Sequence, residues 1–302
     1  MKRAARGKSA SFSARVIATY GRTSMLADEQ GTLWSAVRRG RRSDVVVGDL
    51  VKATSSAEGQ AAIEDIGPRS SLLYRADAFR TKELAANVDQ VIVVFASRPS
   101  FNLWFIWKAL LAARTAGIEA LVIRNKTDLA EGAENAQAAL EEIRALGWRT
   151  LAISVRNAAA HASAELTPLT QDRRSLLVGQ SGMGKSTLLN LLVPDAQART
   201  REFSERLDQG KQTTTAARWF DLPGGGALID TPGFQEFGLA HLTAADVVAG
   251  FPEFVPHLGR CRFLDCRHLV EPDCAIRRAL ESDQISAGRY DFYRSLAAER
   301  TR

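Results

Sequence analysis

Hydrophobic and polar positions divide the chain into three stretches of different period. From residue 12 to about 75, short apolar or alternating runs at Ala14–Thr19, Leu33–Val37, Val45–Val51 and Ala61–Ile66 are punctuated by Gly21, Gly31, Gly40, Gly48 and Gly59. Short runs between turn signals read as strands. Several at this spacing predict a small closed barrel, because closure removes exposed strand edges. From residue 76, strand patterns at Val88–Ala96, Ala120–Arg124, Thr150–Ser154, Ser175–Val178 and Ala227–Ile229 alternate with helical ones at Phe101–Ala116, Glu134–Leu146 and Lys185–Leu192. Such alternation predicts a mainly parallel α/β sheet covered by helices, with ligands at the carboxyl ends of its strands. Beyond residue 239 the strands stop, and Leu242–Phe251, Ala275–Glu281 and Ser286–Arg300 read as helices around a cysteine-rich loop. The expected units are therefore 1–75, 76–238 and 239–302.

Composition narrows the class. With 45% hydrophobic and 25% charged residues the chain is neither disordered nor fibrous. No uncharged apolar run approaches the roughly 18–20 residues of a membrane span. The start, MKRAARGKSASF, is positive but lacks a following apolar segment, so a cytoplasmic location is expected. The net charge of +6 is uneven: residues 1–75 hold 13 Lys/Arg against 7 Asp/Glu, and the remainder holds 27 of each. Arg38, Arg39, Arg41 and Arg42 share one loop of the expected barrel, a plausible contact for a phosphate backbone.

Four motifs carry chemistry. Gly179-Gln180-Ser181-Gly182-Met183-Gly184-Lys185-Ser186, followed by Thr187, fits the phosphate loop G-x-x-x-x-G-K-[ST] between a strand and a helix. Its N–H groups and the helix dipole suit phosphate oxygens. Lys185 is placed to reach the β/γ oxygens and Ser186 to ligate Mg²⁺. Asn125-Lys126-Thr127-Asp128 fits N-K-x-D, which suits guanine: an Asp carboxylate can accept from both N1–H and N2–H₂. Asn125 is expected at the far edge of the base, the Lys126 stem along its face, and the Ser154 backbone in contact with it. Asp230-Thr231-Pro232-Gly233 fits D-x-x-G, with Asp230 holding Mg²⁺ through water and the Gly233 N–H sensing the γ-phosphate. One of Thr213, Thr214 and Thr215 is expected to complete the magnesium shell, and Thr215 stands for that role beside Ser186 and Asp230. Phe234 follows Gly233 where many GTPases carry a water-orienting Gln, so slow intrinsic hydrolysis is expected.

All three cysteines join one histidine in Cys261-x₄-Cys266-x-His268-x₅-Cys274. Three thiolates and an imidazole this close suit one closed, structural Zn²⁺. Its removal is expected to unfold residues 240–302.

The order NKTD, GQSGMGKST, GKQTTT, DTPGFQEFG and CRFLDCRHLVEPDCAI, preceded by VVVGDLV and AANVDQVIVVFA, resembles the circularly permuted GTPase family that matures the small ribosomal subunit of bacteria. The likeness runs from about residue 12 to 295. It implies an OB-fold barrel, a circularly permuted P-loop GTPase domain and a mainly helical zinc-binding domain. It also implies nucleotide contacts at Asn125–Asp128 and Gly179–Ser186, zinc on Cys261, Cys266, His268 and Cys274, and Mg²⁺ with GTP. Its implied partners are the small (30S) subunit and its 16S ribosomal RNA, with the GTPase stimulated by that subunit; no membrane partner is expected, and a monomer is. Gln212 stands where the family usually has a histidine considered catalytic, so Lys185 and Gln212 are the candidate catalytic residues. Gln can orient water but cannot take a proton at neutral pH. Two other readings share these residues: a permuted GTPase acting on the large subunit or a transfer RNA, and an RNA-binding scaffold whose nucleotide site is a structural clamp.

Overall fold

The computed structural model describes residues 11–40, 44–76, 81–197, 217–234 and 236–299. Strands β1 (Ser11–Tyr20), β2 (Thr23–Asp28), β3 (Leu33–Arg38), β4 (Leu50–Ala57) and β5 (Gln60–Ile66) close into the expected barrel. Its order is β1-β2-β3-β5-β4, and β4 returns to β1. Only the β3–β5 pair is parallel among these strands. Alternate residues of the strands, including Val16, Leu26, Val51 and Ile63, fill the interior.

One expected strand is absent. Val45–Val51 does not run through: the chain turns at Gly48-Asp49 and pairing resumes at Leu50. Gly48 has φ +92°, and a Cβ there would lie 2.0 Å from the Ala86 carbonyl oxygen. Only glycine tolerates both conditions. Val46 and Val47 are buried without extending β4: Val47 makes an isolated parallel bridge to Ala85, its carbonyl accepting from the Ala86 N–H at 2.9 Å. The fully buried Asp49 carboxylate fixes the turn, accepting from the Val46 N–H at 2.9 Å and from Arg69 at 2.7 and 2.9 Å. Arg69 also reaches Glu83 at 2.9 Å, which clamps the barrel to a hairpin of β6 (Leu72–Ala76) and β7 (Thr81–Ala86). Neither this hairpin nor β2 stands apart from its neighbours in the hydrophobic pattern.

The second part of the sheet comprises β8 (Gln90–Ala96), β9 (Glu119–Asn125), β10 (Arg149–Ala152), β11 (Arg174–Val178), β12 (Arg218–Asp221) and β13 (Ala227–Asp230). Its order is β10-β9-β8-β11-β13-β12, parallel except for β12. Every residue of β8 is buried, as expected for a central parallel strand covered on both faces. Helices α1 (Leu103–Thr115), α2 (Ala133–Ala145), α3 (Ala159–Thr170) and α4 (Lys185–Leu192) connect these strands or cover them. Two elements lie outside the expected pattern: the four-residue β12 and α3, which carries a helix breaker, Pro168. Ala18 of β1 pairs with Arg218 of β12, so barrel and α/β sheet form one continuous ladder.

The C-terminal stretch comprises α5 (Ala244–Ala249), a 3₁₀ turn (Pro252–His257), α6 (Ala275–Glu281) and α7 (Ala287–Glu299). Helix α5 is shorter than its apolar pattern. Thr243 and Asp246 form a capping box at its start, and Gly250 ends it. The stretch packs on α1, where a Cβ on Gly250 would lie 2.0 Å from Leu111 and Trp107 lies 5.5 Å from Phe292. Arg289 forms a buried ion pair with Glu253 at 2.6 Å, its guanidinium 4.4 Å from the Phe251 ring and 5.2 Å from that of Trp107. This cover explains why α1 buries residues around most of its circumference, where a half-exposed helix would show a single stripe.

Candidate nucleotide site and metal cluster

The ends of four parallel strands converge on one cleft of about 1000 Å³. Val178 ends β11 and hands over to Gly179; Asn125 ends β9; Ser154 follows β10; Asp230 ends β13. Open α/β sheets bind ligands at such carboxyl ends. The phosphate loop curls from Gly179 to Gly184 and opens into α4. Gly184 has φ +98°, and a Cβ there would lie 2.2 Å from the Asn125 amide nitrogen. That close approach joins two motifs that lie far apart in the chain.

Asn125 is buried, and its side chain braces the cleft. Nδ2 donates to the Met183 carbonyl at 3.0 Å, and Oδ1 accepts from the Val155 N–H at 3.2 Å. Lys126 Nζ donates to the carbonyls of Gly182 (2.6 Å) and Arg98 (2.9 Å), which ties the phosphate loop to the segment after β8. Thr127 N–H donates to Ile153 O at 3.2 Å. The Ser154 hydroxyl donates to Asp128 Oδ1, so Ser154 brings its side chain to the N-K-x-D motif. Asn157 Nδ2 adds a second donor to Asp128 at 2.8 Å, a contact the motifs did not signal. Arg156 lines the cleft and was likewise missed, being one arginine among many in the sequence.

At the phosphate end, Gln180, Ser181, Gly182, Ser186 and Thr187 line the cleft beside Lys185. Lys185 Nζ donates to Gly179 O at 2.6 Å and Gln180 O at 3.0 Å. Burial lowers the pKa of its ammonium, against the pull of Asp230. Burial raises that of the Asp230 carboxyl, against Lys185 and Arg218. Both groups are thus desolvated in a manner that a bound cation and phosphate would relieve. Gly233 has φ +68° and lines the same cleft. The Phe234 ring packs 4.8 Å from Phe237 and 6.1 Å from Phe105 of α1, so it offers no polar group to a water. Gln212, Thr213, Thr214 and Thr215 lie outside the described residues, as do Arg41 and Arg42.

The ligand atoms of Cys261, Cys266, His268 and Cys274 all lie within 4.8 Å of one another. Cys261 Sγ is 3.5 Å and Cys274 Sγ 3.4 Å from His268 Nδ1, and the two sulfurs are 3.9 Å apart. These are close to the edges of a tetrahedron with Zn–S of about 2.3 Å, roughly 3.8 Å between sulfurs. The donor set and its spacing therefore fit a metal. Burial, with the neighbouring Cys274 and Cys261, pushes the Cys266 thiol up to about 12, so a cation is what would hold it as a thiolate. The loop is shaped for the cluster: Ala275 N–H points at Cys261 Sγ (3.4 Å), and the hydroxyls of Tyr290 and Tyr293 donate to the carbonyls of His268 (2.8 Å) and Arg267 (2.7 Å). Glu271 accepts from the N–H groups of Arg267, Leu269 and Val270; burial opposes its charge, yet these backbone donors hold its carboxyl down at about 2.

Residues 66–240 match the RsgA GTPase family. The chain belongs to that family. Small ribosomal subunit biogenesis GTPase RsgA of Bordetella pertussis is 46% identical over 279 residues, covering 92% of this chain and 93% of the relative. The protein of the same name from Burkholderia pseudomallei is 46% identical over 286 residues, covering 94% and 91%. Among solved structures, YjeQ from Thermotoga maritima superposes with a TM-score of 0.70 at 27% identity, covering 97% of this chain and 99% of that one. YloQ, described as a circularly permuted GTPase, gives 0.67 at 24%, covering 99% and 98%. As an RsgA GTPase, the chain is an enzyme of GTP hydrolysis built on a permuted fold. The motif order along the sequence follows that permutation. Among the described residues, no helix is long and apolar enough to cross a membrane.

Proposed function

We propose that this GTPase acts late in the assembly of the small (30S) ribosomal subunit, and that the subunit stimulates its hydrolysis of GTP. The observation that carries the reading is the likeness, over more than nine-tenths of the chain, to proteins named for small-subunit biogenesis. In this reading, residues 1–75 and 239–302 grip 16S ribosomal RNA on either side of the GTPase part, residues 76–238. Arg38, Arg39, Arg41 and Arg42 supply barrel charge, and Arg260, Arg262 and Arg267 supply it beside the metal cluster. The protein works as a cytoplasmic monomer.

Within the cleft, Asp128 reads guanine, while Asn125, Lys126, Thr127 and Ser154 shape its pocket. The loop Gly179–Ser186 and Thr187 hold the phosphates, with Lys185 on the β/γ oxygens. Ser186, Asp230 and Thr215 are hard oxygen donors suited to Mg²⁺. Magnesium neutralises phosphate charge when bound, and the Gly233 N–H senses the γ-phosphate. Gln212 orients the attacking water, since Phe234 cannot. Cys261, Cys266, His268 and Cys274 hold one structural Zn²⁺. Phe234 against Phe105 supports a route outward: a shift after Gly233 presses on α1, and α1 carries the C-terminal helices.

Sedimentation with purified subunits tests the assignment. The chain should pellet with small subunits and not large ones, more with a non-hydrolysable GTP analogue than with GDP, and less as salt rises. Equal binding to both subunits, or none, would redirect the reading to another target.

A further inference from the structure

Asn157 is outside every recognised motif, yet it holds Asp128, a residue that lines the cleft. Its Nδ2 donates to Asp128 Oδ2 at 2.8 Å, while the Ser154 hydroxyl donates to Oδ1. The Asn157 N–H in turn donates to Ser154 Oγ at 3.3 Å, so the turn 154–157 wraps around the carboxylate. We propose that Asn157 is a positioning residue that fixes the Asp128 carboxylate for two simultaneous hydrogen bonds from guanine, and so sets the preference for guanine over hypoxanthine nucleotides. This rests on the reading of Asp128 as the guanine acceptor.

Lone pairs and torsions decide how the carboxylate is held. Each carboxylate oxygen offers two acceptor sites. One donor from the protein on each oxygen leaves one free site on each, the number that N1–H and N2–H₂ require. The terminal torsion of Asp is broad and does not select a plane by itself. With a donor on only one oxygen the carboxylate can pivot; with Ser154 and Asn157 on both, it cannot. A capping role does not account for Asn157, because the N-cap of α3 is Ala158, which has no side-chain cap bond. Asn157 is exposed, so truncating it removes no core contact.

The test measures GDP and IDP dissociation constants for the full chain, its Asn157→Ala variant and its Asp128→Asn variant. IDP carries hypoxanthine, which lacks the N2 amine. Asn157→Ala should weaken GDP about tenfold and IDP by no more than about threefold, narrowing the preference at unchanged melting temperature. Equal losses for both nucleotides would mean that Asn157 merely supports the loop, and unchanged GDP binding would remove its role altogether; either overturns the inference. Asp128→Asn separates the two levels. If it abolishes GDP binding while Asn157→Ala leaves the GDP/IDP ratio intact, only the Asn157 inference fails. If Asp128→Asn leaves GDP binding intact, the guanine assignment itself is wrong.

Discussion

Lys185→Ala is expected to lower single-turnover GTP cleavage by about 10²–10³-fold, the usual consequence of removing one preorganised charge from a reacting oxyanion. The geometry explains why a smaller loss is not expected. The ammonium is already oriented by the carbonyls of Gly179 and Gln180, at 2.6 and 3.0 Å, before any phosphate arrives. It is partly desolvated, with Asp230 as its charged neighbour, so its field on the cleft is little screened. Lys185→Arg should not restore the rate, because a planar guanidinium cannot replace a compact ammonium inside the curl of the loop. The variant should melt close to the wild type, since Lys185 is the first residue of α4 and contributes little to its buried face. A residual rate within tenfold of wild type would show that hydrolysis does not use this lysine.

Removing the metal is the second large effect. Structural zinc sites bind with an apparent free energy of about 10–16 kcal/mol, which is folding free energy for the segment they organise. Between Leu258 and Cys274 the chain has turns and bends but no helix or strand. Phe263, Leu264 and Val270 are exposed there, with Leu264 at 106%, so this loop closes no hydrophobic core of its own. Chelation should therefore raise hydrogen exchange steeply across residues 259–283, including α6, which begins just after Cys274. Helix α7 should stay protected. It is held to α1 by Phe292 against Trp107 and by Arg289 in its aromatic and Glu253 surroundings, none of which needs the metal. The outcome is thus narrower than the loss of all of residues 240–302 that the sequence suggests. Unchanged exchange after stoichiometric metal removal would contradict a structural site.

Much of this architecture is legible in the residues because its signals are local. The phosphate loop, N-K-x-D and D-x-x-G are short motifs whose flanking strands are nearly uninterrupted apolar runs, and the cysteines sit within one loop. What escaped is decided by distant partners. Val45–Val51 reads as a strand by hydrophobicity, but Gly48 against Ala86 and Asp49 against Arg69 turn it. Asn125 is expected at the base, and its amide also braces the cleft through Met183 and Val155, a role that only distant partners reveal. Asn157 and Arg156 carry no motif, and only the turn after β10 brings Asn157 to Asp128 and Arg156 to the cleft. The C-terminal cover of α1 is equally silent, since an all-round apolar helix does not name what packs on it.

The proposed function makes the GTPase chemistry depend on the small ribosomal subunit. Steady-state phosphate release with and without purified small subunits, across a salt series, tests it most directly. The account predicts a slow rate for the chain alone, strong stimulation by small but not large subunits, and a steep decline of that stimulation as salt displaces basic contacts. A turnover rate unaffected by small subunits at low salt would contradict it.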